Sequence, residues 1–148
     1  MSVINELNSI YEYLKALFPT ATIERQDVPA TPVPNTFVVR MQDNESKSET
    51  SLTRLNSREF QLIYFGTSSV DVLTKVDEFD RVMNNDRKVI PIKESLRYIR
   101  VKAFSFGTPF KTASNVNGII GVIQTETREA RDLPTYEKIT SVKPAIEE

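Results

Sequence analysis

Apolar residues along this chain recur with two different periods. Ile4, Leu7, Ile10, Tyr11, Leu14, Leu17 and Phe18 are spaced three and four apart, which draws one stripe on a helix. Ser2 can N-cap that helix through its hydroxyl, and Pro19 ends it, because a residue preceding proline avoids helical angles. Residues 22–28 then read as a short polar strand with β-branched side chains. The stretch Pro29-Ala30-Thr31-Pro32-Val33-Pro34 follows as an extended connector, since proline supplies no ladder donor. Phe37, Val39 and Met41 alternate with Val38, Arg40 and Gln42, a strand with one buried face.

Residues 43–58 turn polar over a span longer than ordinary connections of about 4–6 residues. They read either as a mobile loop or as a projecting hairpin or loop that contacts a neighbour. Residues 59–65 (Glu-Phe-Gln-Leu-Ile-Tyr-Phe) form the clearest strand, closed by Gly66. Ser68 and Asp71, three apart, open a second helix in capping-box fashion. Its stripe is Val72, Leu73, Val76, Phe79, Val82 and Met83, and Asn84-Asn85-Asp86 is its stop. Two more strands are expected over 96–106 and 118–128. In the first, Ile99, Val101 and Ala103 face one way and Arg100, Lys102 and Phe104 the other. A turn-rich connection over 107–117 carries Phe110, and residues 129–148 form a tail of weak apolar content.

Strands outnumber helices and do not alternate strictly with them. The pattern therefore predicts an α+β fold: a mainly antiparallel sheet of four to five strands with two helices packed on one face. Residues 1–128 read as a single domain and 129–148 as a C-terminal extension. No internal repeat or low-complexity run interrupts the chain.

Composition narrows the chemistry. At 148 residues the chain can bury roughly 70% of its unfolded surface and so sustain a core without staples. It has no cysteine and no histidine, which removes disulfides, thiolate chemistry, the commonest zinc ligands and the commonest general base. Nineteen basic residues are balanced by 20 acidic ones. The densest cationic spots, Arg87-Lys88 and Arg97, Arg100, Lys102, are too short for a nucleic-acid stripe. The start, Met1-Ser2-Val3-Ile4-Asn5-Glu6, does not read as a signal peptide, and no apolar run reaches the ~20 residues a bilayer span needs. The expectation is a protein held on the cytoplasmic side, away from membranes.

Asp77, Glu78 and Asp80 cluster on the second helix and are the remaining acid–base candidates. They fall off the apolar stripe, as a solvated helix face does. Gly118-x-x-Gly121 lies inside an apolar strand rather than at a strand-to-helix turn, so it reads as backbone relief in a curved or bulged strand, not a phosphate cradle. These absences point away from an enzyme, and no metal or cofactor is expected. Binding elements remain: the 43–58 arm with Leu52 and Arg54, the loop aromatics Phe106 and Phe110, Arg128, and the tail with Tyr136 and Ile139. Aromatic side chains give large contact area at low entropic cost. Phe106 and Phe110 can equally cap the core of their own domain.

Tyr98-Ile99-Arg100-Val101-Lys102-Ala103-Phe104-Ser105-Phe106 and Ile119-Ile120-Gly121-Val122-Ile123-Gln124-Thr125-Glu126 carry a resemblance. They are followed by Thr127-Arg128-Glu129-Ala130-Arg131-Asp132 and Thr135-Tyr136-Glu137-Lys138-Ile139. In these segments, and in its layout of helix, armed hairpin, helix, two closing strands and tail, the chain resembles the tail terminator (tail completion) proteins of long-tailed bacteriophages and prophages of Gram-positive hosts. The resemblance implies a structural virion protein, assembled in the host cytoplasm, that closes into a six-membered homo-oligomeric ring. Such a ring caps the tail tube protein, faces a head–neck connector or stopper protein, and lets DNA pass without sequence-specific contact. It implies no catalytic residues. A neck or head–tail joining subunit of the same particle, and a non-viral adaptor binding a peptide along its sheet edge, are the alternative readings.

Overall fold

The computed structural model describes residues 3–85, 89–92, 95 and 97–130. In chain order the elements are α1 (Val3–Leu17), β1 (Thr22–Arg25), β2 (Thr36–Ser48), β3 (Thr53–Gly66), α2 (Ser69–Asn85), β4 (Val89–Pro91), β5 (Tyr98–Phe106), β6 (Phe110–Lys111) and β7 (Asn117–Ala130). One sheet runs β1-β2-β3-β7-β5-β4, with β6 on β7. Every pairing is antiparallel except that of β1 with β2. The fold is α+β with a mainly antiparallel sheet, as the pattern predicts. Among the described residues seven strands are present rather than four or five. The unforeseen ones, β4 and β6, are 3 and 2 residues long, too short for alternation to register.

The apolar stripes build the core. Leu7, Ile10, Leu14 and Phe18 from the first helical region join Val72, Val76, Phe79 and Met83 of α2 in one cluster with Phe37, Val39, Phe60, Leu62, Tyr64, Ile99, Ile119 and Ile123 of the sheet. Two stripe positions depart from expectation: Ile4 is 56% exposed and Leu73 39%. The fully buried position in the first turn of α1 is instead Glu6, because it meets the guanidinium of Arg58. The Ser2 cap lies outside the described residues. The cap of α2 forms: the Asp71 amide donates to Ser68 Oγ at 3.1 Å, and the Thr67 amide donates to Asp71 Oδ2 at 3.1 Å. Burial and then the same Asp71 carboxylate push the Tyr64 phenol up to about 12.

β5 corrects the face assignment made from alternation. Its register on β7 shifts between Val101 and Ala103. The extra residue, Lys102, reverses the facing of everything after it, which is what a bulge does. Phe104 therefore turns inward and meets Phe79 edge-on at 5.0 Å between ring centroids. The two glycines of β7 have their explanation here. A Cβ on Gly121 would come within 2.7 Å of the Phe104 ring, and one on Gly118 within 2.8 Å of Phe110. Both glycines make room for aromatic rings, rather than relieving the backbone by itself.

The polar 43–58 segment is a hairpin. β2 and β3 stay paired from Thr36↔Phe65 out to Ser48↔Arg54, with one register shift between Met41 and Asp43. β7 follows β3 along its whole length, from Gly66↔Asn117 to Thr53↔Ala130. Among the described residues it thus runs to Ala130, two residues beyond the expected strand. The arm is a three-stranded extension of the sheet.

Candidate functional site

The buried face of the sheet continues into the arm, but its residues change character. On β3 the inward row runs Tyr64, Leu62, Phe60, then Arg58 and Asn56; on β7 it runs Ile119, Ile123, then Thr125, Thr127 and Glu129. Arg58 pairs with Glu6 and donates from Nε to Asn44 Oδ1 at 2.8 Å. Thr125 Oγ1 donates to the Arg58 carbonyl at 2.9 Å. Glu129 accepts from Asn56 Nδ2 at 3.1 Å and from Arg54 Nε at 2.6 Å. Desolvation pushes the Glu129 carboxyl upward, but Asn56 and Arg54 together outweigh it and leave it below the ordinary carboxylate range. Burial lowers the pKa of the Arg58 guanidinium, with Glu129 pulling the other way. Alternation from the apolar row reaches all these positions, so the signal for the network was present in the sequence. What the sequence lacked was the knowledge that α1 delivers Glu6 to Arg58.

The expected contact residues separate into two groups. Leu52, Arg54 and Arg128 gather at the arm tip. Leu52 is 64% exposed on a turn whose Leu52 and Thr53 amides both donate to Thr50 Oγ1. Arg54 is engaged by Glu129, and Arg128 Nε donates to both carboxylate oxygens of Glu49, at 2.9 and 2.8 Å. Both arginines are thus partnered within the chain. Phe106 and Phe110 sit at the other end of β7, where Phe106↔Gly121 and Phe110↔Gly118 are cross-strand partners. Phe106 extends the Phe104 ring at 6.0 Å, and Phe110 lies over Gly118 next to Phe65. Each covers its own domain and keeps 37% of its surface exposed. Ten strand residues, or about 34 Å, separate Gly118 from Arg128. Tyr136, Ile139 and the Arg87-Lys88 pair lie outside the described residues.

The exposed sheet surface beside the arm carries charges of both signs. A cleft of about 220 Å³ is lined by Asp43, Glu45 and Glu59 on the β2–β3 side and by Lys102 on the β5 side. Beside it, a groove of about 390 Å³ is lined by Val89, Tyr98, Arg97, Arg100, Glu126 and Arg128. Here Glu126 alone stands near three cations: Arg100 at 3.4 Å, Arg128 at 3.8 Å and Lys102 at 4.0 Å. The acids of α2 engage their own helix. Asp77 Oδ2 accepts from Arg81 Nε at 2.8 Å, and Asp80 Oδ1 accepts from Asn84 Nδ2 at 3.0 Å. Among the described residues no group of three or more acidic side chains could hold a metal ion, and no helix is long and apolar enough to cross a membrane.

No known family model matches this chain, and no curated protein matches it.

Proposed function

We propose that this protein is a structural virion subunit of the tail-terminator kind. Six copies close into a ring that caps the tail tube and joins it to the head–neck connector, with DNA passing through the opening. It works by contact and performs no covalent chemistry. The observation that carries the reading is the distribution of exposed anchors: Leu52 on the arm tip, and Phe106 and Phe110 at the far end of β7. A ring needs a heterologous interface, in which one patch of a subunit meets a different patch of the next. The arm tip and the far end of β7, about 34 Å of strand apart, are unlike and suit that requirement, with Phe106 on the face of the main core and Phe110 on the other face beside Phe65, whereas a two-fold dimer needs one self-complementary patch. The projecting three-stranded arm gives the reach. In this arrangement the two helices cover one face of the sheet, and the opposite face is available to neighbours beyond the Val38, Ile63 and Phe65 cluster that the chain itself buries.

Size-exclusion chromatography with light scattering, followed by negative-stain electron microscopy, tests the proposal. Six-fold rings that bind the ends of tail tubes are the expected result. A chain that stays monomeric with tube protein present sinks it and favours a peptide-binding adaptor. Rings that bind the portal-side adaptor and ignore the tube favour the neck subunit.

A further inference from the structure

The groove beside β4 has one apolar wall and one cationic wall. Ile99 and Val101 of β5 are buried, so Tyr98 and Arg100 between them point away from the core. Arg100 is the cross-strand partner of Val89 on one side and of Glu126 on the other. Arg128 stands two residues beyond Glu126 on the same side of β7. Arg97 Nη1 donates to the Arg128 carbonyl, which ties the start of β5 to the end of β7. These residues enclose about 390 Å³. Val89 and Tyr98, 36% and 63% exposed, form the apolar wall, and Arg97, Arg100 and Arg128 the cationic one.

The cations here outnumber their partners. Glu126 lies 3.4 Å from Arg100 and 3.8 Å from Arg128, and it also stands near Lys102. Arg128 has Glu49 besides. Among the described residues no carboxylate lies within ion-pair distance of Arg97. An arginine presents its donors as a planar fork, which suits a carboxylate. The groove therefore calls for an aliphatic side chain with carboxylates close behind it. One segment of the chain has that order. Acidic residues adjoin each other only at Asp77-Glu78 and at Glu147-Glu148. The first pair lies on α2, where Asp77 is held by Arg81. The second follows Pro144-Ala145-Ile146. Among the described residues β7 runs to Ala130, two positions past Arg128, and residues 131–148 lie outside them. Fifteen residues separate Ala130 from Ile146, a contour of up to about 50 Å. The segment starts at the border of the groove and has the reach to return to it. Such a tether sets an effective concentration on the order of millimolar, so weak contacts suffice.

We infer that Ile146 of this same chain packs against Val89 and Tyr98 while Glu147 and Glu148 pair with Arg97 and Arg100, so that the chain closes its own groove. The occupant is the 146–148 segment, and the inference does not rest on the ring reading above. The apolar wall supplies burial and the arginines fix which segment is accepted.

The chain has no tryptophan, so Ile146→Trp in the full-length protein is a single reporter. Its emission is expected at shorter wavelength than that of indole in water. Acrylamide is expected to quench it about threefold less, since a groove of this kind buries most of what it holds. R97E/R100E and E147K/E148K, each added to that variant, are expected to return the reporter to the values of free indole. Combining both sets is expected to restore the protection, because opposite charges then face each other again. The protection should stay constant over about a hundredfold dilution, as a contact within one chain does. Circular dichroism checks that the variants stay folded. A reporter as exposed as free indole, or one equally protected in the charge variants, overturns the inference. Protection that disappears on dilution puts the segment in the groove of a second copy and overturns the own-chain assignment. Light scattering on the same samples reads assembly separately, so this inference and the ring reading fail independently.

Discussion

The two halves of the β2–β3 hairpin share one hydrogen-bonded ladder and differ in what holds them down. The inner half, Phe37 and Val39 against Phe60, Leu62 and Tyr64, is buried among helix side chains. The outer half keeps the same alternation but puts Asn56 and Arg58 on the buried row, next to Thr125, Thr127 and Glu129 of β7. Hydrophobic burial is non-directional and tolerates small shifts, whereas this polar row is held by directed bonds, Thr125 to the Arg58 carbonyl and Asn56 to Glu129, with the Thr127 hydroxyl left without a hydrogen-bond partner among the described residues. The inner half thus supplies stability and the outer half supplies a fixed direction for the arm.

The largest expected effect is on the inner half. Phe60→Ala removes a fully buried ring and is expected to cost about 4 kcal/mol, read as a lower midpoint in denaturant with the slope unchanged. A loss below about 1 kcal/mol contradicts its place at the centre of the core. Glu6→Leu comes next, at about 3 kcal/mol, because it leaves the Arg58 guanidinium buried without its counter-charge. The double change Glu6→Leu with Arg58→Met is expected to recover most of that stability, as apolar replacements of buried ion pairs commonly do. The contrast sharpens if the recovered protein no longer assembles, since the pair then serves the direction of the arm rather than the stability of the fold.

The smallest effect lies near the arm tip. Glu129→Gln is expected to cost about 1 kcal/mol, reduced because Arg54 is half exposed. Since the folded Glu129 carboxyl lies below the ordinary carboxylate range, its contribution is present above that range and fades as pH falls through the folded value. The stability difference between wild type and Glu129→Gln should therefore shrink on acidification below pH about 4.5. A difference that stays constant with pH refutes the ionic account.

Much of the fold was legible before any coordinates. Both helices, the capping of α2 by Ser68 and the four longer strands follow from periodicity and local chemistry. Other features were not. Residues 43–58 lack apolar alternation, so the sequence left loop and hairpin open, and it is pairing of 43–48 with β3, and of β3 with β7, that makes them a hairpin. The bulge at Lys102 inverted the expected facing of Phe104, because alternation cannot show where one residue is skipped. The site was legible only in part: Leu52 is exposed, Phe106 and Phe110 cover their own domain while keeping 37% of their surface exposed, and Arg54 and Arg128 have carboxylate partners 75 and 79 positions away.

The sequence by itself determined the class of the fold, the stripes that face the core and the shortage of reactive side chains, because these depend on composition and on spacings of two, three and four residues. Only the tertiary structure decided that Glu6 meets Arg58 and that the glycines of β7 house Phe104 and Phe110. Those facts depend on register between strands distant in the chain, which long-range packing fixes and local pattern does not.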